Sequence, residues 1–130
     1  MKYKLSVIKS FSSAHFLRHY KGKCENLHGH NWRIKASFSG ENLLDNGMLI
    51  DFADIREALD EIIVYLDHKC LNETAPFDEI NPTAENIAAF IFAKLQKKNT
   101  ENAEVSGVEV WENADASAFV TELRSSKIEK

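Results

Sequence analysis

The chain has 130 residues, 44% of them hydrophobic and 28% charged, a size and balance that fit one compact globular domain over 1–130 and leave no comfortable room for a second. Its 16 Lys plus Arg stand against 20 Asp plus Glu for a formal net charge of −4, and with no long basic run to oppose that field, nucleic acid is not an expected partner. The opening residues alternate lysine with apolar side chains around no continuous apolar core, so neither a signal peptide nor a membrane anchor is read there, and the expected location is cytoplasmic.

Residues 3–7 set Tyr3, Leu5 and Val7 against Lys4 and Ser6, the period of two of a strand with one buried face. The clearest strand is 32–39, where Trp32, Ile34, Ala36 and Phe38 alternate with Arg33, Lys35, Ser37 and Ser39 until Gly40 ends it. Between them, 16–26 is polar, contains Gly22 and Cys24, and has the length of a long hairpin loop. Asp45, Asn46 and Gly47 signal a turn, after which 48–52 reads as a short apolar strand-like piece. A helix follows, capped by Asp51 with Asp54 in its first turn, and Phe52, Ile55, Leu59, Ile62, Ile63 and Leu66 form a stripe for packing on the sheet. Asn81, Pro82 and Thr83 open a second helix with Glu85 in its first turn. Its stripe is Ile87, Phe90, Ile91 and Leu95, and Lys94, Lys97 and Lys98 close it. Val108 and Val110 belong to a third strand, and 116–123 form a fourth after a turn at 113–115. The order is ββααββ, and only 125–130 are expected to fray.

In extended backbone, residues two apart point the same way, so His28 and His30 can face one metal, with Gly29 leaving room between them. A hairpin would bring His15, at the end of the first strand, alongside. Three imidazoles leave a fourth position for water or substrate, the arrangement of a catalytic rather than a structural zinc. Cys24 and Cys70 are expected to be reduced. Cys24, with Lys21 and Lys23 nearby, reads as a thiolate base or nucleophile, as a fourth zinc ligand, or as a small half-buried apolar residue. Asp67 and His68 fall where the first helical period is lost. His68 is a candidate proton carrier or a cation paired with the helix end, and adjacency alone does not guarantee a bond between the two. Glu112 ends the apolar run 108–111, where a carboxylate can accept two parallel bonds from a guanidine-like edge or simply be solvated. Arg18, His19, Lys21 and Lys23 could meet phosphates, although a solvated loop explains them as well.

Taken together, Ser13-Ala14-His15, Cys24-Glu25-Asn26-Leu27-His28-Gly29-His30-Asn31, Leu66-Asp67-His68, Asn81-Pro82-Thr83-Ala84-Glu85-Asn86 and Glu112 resemble the signature of the 6-pyruvoyl-tetrahydropterin synthase family over nearly the whole chain. The specific part is a Cys followed after three residues by His-Gly-His, with a His upstream and Asp-His downstream. The resemblance implies Zn2+ held by His15, His28 and His30, proton abstraction by Cys24, and an acid–base set completed by Asp67 and His68. It also implies that Glu112 anchors a pterin ring and that Thr83 contacts the pterin of a neighbouring subunit. The fold it implies is α+β, an antiparallel four-stranded sheet with two helices on one face (the tunnelling fold). Three subunits would join their sheets into a barrel, and two such trimers would stack into a homohexamer.

In the family's pyruvoyl enzymes five residues separate the cysteine from His-Gly-His; the three found here point to the carboxy branch. That branch implies a pterin triphosphate substrate, 7,8-dihydroneopterin triphosphate, whose side chain is cleaved to release acetaldehyde and triphosphate. The pyruvoyl reaction, which keeps the side-chain carbons, is the alternative chemistry, and a non-catalytic zinc module with Cys24 as fourth ligand is the alternative class. Phe16 departs from the family pattern, where many relatives carry a basic or polar residue, so contacts near the phosphates would differ.

Overall fold

The computed structural model describes residues 1–22 and 25–123. Four strands form one antiparallel sheet in chain order, β1 (Tyr3–His15), β2 (His28–Gly40), β3 (Glu104–Asn113) and β4 (Ala116–Val120). Between β2 and β3 the chain runs through α1 (Phe52–Leu66) and α2 (Ala84–Leu95), giving the expected ββααββ order. β1 pairs with β2 along its whole length, from Tyr3 opposite Gly40 to His15 opposite His28. The first strand therefore runs from the alternating stretch to His15, the residue expected at its end. Lys9 and the serines at 10, 12 and 13 break the sequence alternation, and it is the ladder with β2 that holds them extended.

Trp32, Ile34, Ala36 and Phe38 of β2 are fully buried and share one core with Ile55, Leu59 and Leu66 of α1 and with Ile87, Ile91 and Leu95 of α2. Each such side chain contributes about 1.5–3 kcal/mol by leaving water. Both helices lie against the same face, α1 over β1 and α2 over β3 and β4. α1 starts where Asp51 Oδ1 accepts the Ala53 N–H at 2.9 Å, and α2 where Thr83 Oγ1 accepts the Asn86 N–H at 3.1 Å. No described helix is long and apolar enough to cross a membrane.

The expected strand-like piece at 48–52 is not a strand. Asn46 Oδ1 accepts the Met48 N–H at 3.0 Å and Leu44 N–H bonds to Met48 O at 2.7 Å, so the segment closes on itself and drops Leu49 and Ile50 into the core as plugs. β4 also ends at Val120 rather than 123. Residues 125–130, expected to fray, lie outside the described residues.

Where α1 ends, the chain turns along the outer edge of β1. His68 N–H bonds to Ser12 O at 2.6 Å and Ala14 N–H to Lys69 O at 2.9 Å, which covers that edge at its His15 end only. At the other end of the hairpin, Gly40 lies against the backbone of Asn102. A Cβ there would collide with the Asn102 carbonyl and come to 2.8 Å from Leu49 Cδ1. Gly40→Ala should therefore cost about 1–3 kcal/mol, read as a lower urea midpoint at unchanged slope. An unchanged midpoint would show that β2 does not end in this close packing.

Candidate metal centre and active site

His15 and His28 sit directly opposite each other on β1 and β2, and His30 lies two residues further along β2 on the same face. Their ligating atoms fall within 4.8 Å of one another. His15 Nδ1 lies 2.8 Å from Pro82 O and His28 Nδ1 2.8 Å from Asn26 O; a carbonyl only accepts, so both Nδ1 atoms carry the proton and both Nε2 lone pairs are left for a ligand. Trp32 forms the floor. The rings of His15 and His30 stand edge-on to it at 4.9 and 5.2 Å, and its indole N–H is satisfied by Ser13 O at 3.2 Å.

The Nε2 atoms of His15 and His30 are buried and bond to nothing among the described residues. A polar atom left so costs about 1–3 kcal/mol, and a cation shared by convergent imidazoles is the partner that removes the cost. The three side chains thus fit a divalent metal ion. His15 is only 1% exposed, and burial pushes its imidazole below the ordinary 6.5 despite the opposing pull of the Pro82 carbonyl and the Glu112 carboxylate. His28 and His30 nearby reinforce the lowering. A neutral imidazole is the form a metal takes.

Gly29 does not act as expected. A Cβ there would meet only Ser13 O at 4.0 Å, an ordinary contact, so no side chain of this subunit requires a glycine. The space beside it is a trough instead. One cavity of about 490 Å³ joins Gly29 and His30 to Arg33, Trp111 and Glu112, and a second of about 370 Å³ joins them to Ser13, His68 and Lys69. A further cavity of about 730 Å³, between α1 and α2, holds none of the expected site residues.

Asp67 and His68 do form a bonded pair. Asp67 leaves the helix in extended conformation and His68 takes a left-handed φ of 55°, which brings His68 Nδ1 to 2.8 Å from Asp67 Oδ2. Asp67 Oδ1 accepts the Ser12 N–H at 2.8 Å, and this bond first, then that from His68, holds the Asp67 carboxyl below its usual 3.8. An ionised Asp67 can only accept, so His68 Nδ1 carries a proton and Nε2 faces outward on a side chain 82% exposed. Ser13 joins this pair to the histidines: its hydroxyl donates to Leu66 O and accepts the Lys69 N–H.

Glu112 directs Oε1 at the triad, 3.6 Å from His15 Nε2 and 3.9 Å from His30 Nε2. The Thr83 hydroxyl is engaged as the α2 cap. Arg18 is not open to phosphates, because its guanidinium donates to the carbonyls of Ile80, Asn72 and Phe77 at 2.7–3.3 Å. Lys21 lies over the Tyr20 ring, and Lys23 and Cys24 lie outside the described residues. Sequence reasoning missed Asn72 and Asn81, whose side-chain amides grip the N–H and C=O of Phe16 and of Arg18 as a neighbouring strand would. Partners 56 and 63 residues away leave no spacing to read.

Residues 4–123 match the 6-pyruvoyl tetrahydropterin synthase family, and the chain belongs to it. It is 37% identical over 114 residues to the 6-carboxy-5,6,7,8-tetrahydropterin synthase of Synechocystis sp., covering 84% of this chain and 85% of that one. It is 32% identical over 133 residues to the Haemophilus influenzae protein of the same name, covering 85% and 92%. The 6-pyruvoyl tetrahydropterin synthase structure of Caenorhabditis elegans superposes with a TM-score of 0.81 at 26% identity, over 95% of this chain and 97% of that one.

Two outcomes follow from this geometry. Because folding lowers the His15 pKa, the unfolded state holds more protons between that value and 6.5, so stability rises with pH across the interval. The metal-free protein should lose stability as pH falls below about 6.5, and His15→Gln should flatten that slope. Parallel pH profiles for the two proteins would rule out a buried neutral His15. Thr83→Ala should cost about 1 kcal/mol of unfolding free energy and Thr83→Ser much less, since the cap needs only the hydroxyl. Equal losses in both variants would contradict a capping role.

Proposed function

We propose that this chain is a zinc-dependent 6-carboxy-5,6,7,8-tetrahydropterin synthase. It converts 7,8-dihydroneopterin triphosphate and one water to 6-carboxy-tetrahydropterin, acetaldehyde and triphosphate on the route to queuosine and related 7-deazapurines. The observation that supports this most is the trio of His15, His28 and His30, in which the Nε2 atoms of His15 and His30 are buried and partnerless beside the carboxylate of Glu112. The names and coverage of the Synechocystis and Haemophilus relatives favour the carboxy chemistry over triphosphate elimination alone.

Zn2+ bound by the three imidazoles supplies a Lewis acid for the oxygens of the substrate side chain. Cys24 takes a proton from that side chain, and Glu112 receives the guanidine edge of the pterin through parallel hydrogen bonds. His68, with its tautomer fixed by Asp67 and its Nε2 exposed, exchanges protons with the reacting side chain. Thr83 contacts a neighbouring subunit's pterin, and three chains close their sheets into a barrel. Among the described residues, the outer edges of β4 and of the first half of β1, with Phe119 60% exposed, are open backbone that such closure would pair.

Incubating the zinc-loaded protein with 7,8-dihydroneopterin triphosphate and weighing the products separates the chemistries, since only the carboxy reaction yields acetaldehyde. Cys24→Ala should keep its zinc and lose acetaldehyde release, whereas His68→Ala should lower kcat by roughly 10²–10⁴ with KM little changed. Loss of zinc in Cys24→Ala would move that residue into the ligand set, and normal turnover would remove it from the mechanism.

A further inference from the structure

Ser13 is out of place in its row. It shares the buried face of β1 with Phe11 and is only 6% exposed, at a position where an apolar side chain ordinarily stands. A buried hydroxyl has to be bonded, and this one is bonded twice. It donates to Leu66 O, the last carbonyl of α1, which has no partner within the helix, and it accepts the Lys69 N–H at 3.0 Å. The two bonds straddle Asp67 and His68. Backbone bonds from Ser12 and Ala14 tie this turn to β1, but the Ser13 hydroxyl alone links its two ends to each other, and no other side chain of β1 bonds to it among the described residues.

His68 is the strained point of the turn, since its left-handed φ of 55° is a conformation that a residue with a side chain adopts when its surroundings impose it. That conformation is also what brings Nδ1 to 2.8 Å from Asp67 Oδ2. The His68 side chain is 82% exposed, so packing of the ring does little to hold it, and the task falls to the backbone on either side. What a left-handed residue costs is of the same order as what two hydrogen bonds contribute, so loss of one doubly bonded hydroxyl is enough to release it.

We propose that Ser13 is a positioning residue for His68: its hydroxyl fixes the 66–69 turn in the shape that pairs His68 Nδ1 with Asp67, and so decides which ring nitrogen faces outward for proton exchange. This rests on the acid–base role given to His68 above and deepens it.

Ring-nitrogen NMR of histidine-labelled protein reports the tautomer without any turnover, with the His68 signals assigned by their absence from His68→Ala. At a pH where the ring is neutral, wild-type His68 should be in the Nδ1–H form, and Ser13→Ala should show a mixture of Nδ1–H and Nε2–H forms. Val7→Ala, which opens a cavity in the same strand away from the turn, should leave the His68 signals as they are. Under saturating substrate, Ser13→Ala should lower kcat by roughly 10- to 100-fold with KM and zinc content little changed, and should have no further effect in the His68→Ala background. A His68 ring still wholly in the Nδ1–H form in Ser13→Ala would overturn the proposal whatever the rate. An equal fall in kcat in the wild-type and His68→Ala backgrounds would overturn it too, because a serine that only supports the fold would give that result. Wild-type turnover by His68→Ala would instead sink the acid–base role of His68, and the tautomer measurement would still decide whether Ser13 sets the turn.

Discussion

The register between β1 and β2 is the constraint from which the rest of the site descends. Because His15 faces His28 and Ser13 faces His30, one ladder decides that three imidazoles share a face and that Trp32 lies beneath them. A slip of one residue would turn His15 to the opposite face while His28 and His30 stayed in place. The buried row Val7, Phe11 and Ser13 of β1 guards against that slip, since it would have to exchange with Ile8, Ser10 and Ser12. Core packing and metal geometry are therefore set by the same pairing.

What could be read from the chain depended on how far apart the interacting residues lie. The histidine set was legible because strand periodicity and a hairpin are local rules, and the helix starts at Asp51 and Thr83 were legible because capping is local too. The middle of β1 was not, since the serines and Lys9 satisfy no pattern until β2 is beside them, although His15 was read at the strand's end. Nor were the amide grips of Asn72 and Asn81, or the engagement of Arg18 with three carbonyls. An arginine in a polar loop reads as a free cation, and only the return of the 72–81 segment turns it into an internal strut. The bond between Asp67 and His68 belongs to the same class, because it needs a left-handed residue that no sequence period announces.

Those polar ties explain how a loop lacking regular structure can serve a site that demands precision. Asn81 holds Arg18 by its backbone, its own carbonyl accepts from Asn86 Nδ2 at 2.9 Å, and the next residue, Pro82, orients His15. The start of α2 and the metal end of β1 are thereby a single unit. Glu25, next to Cys24 in sequence, is tied back through Leu17 by bonds of 2.8 and 3.2 Å, so the loop is closed at its base.

The electrostatics of His15 show why a carboxylate belongs beside the triad. Burial lowers its proton affinity and Glu112 raises it, so without a cation the two neighbours work against each other. A divalent ion removes the conflict, because neutral imidazole and ionised carboxylate are both the forms it binds. Three neutral ligands would leave the ion its full charge in a largely buried pocket, which is costly, and the carboxylate of Glu112 beside them offsets part of that charge.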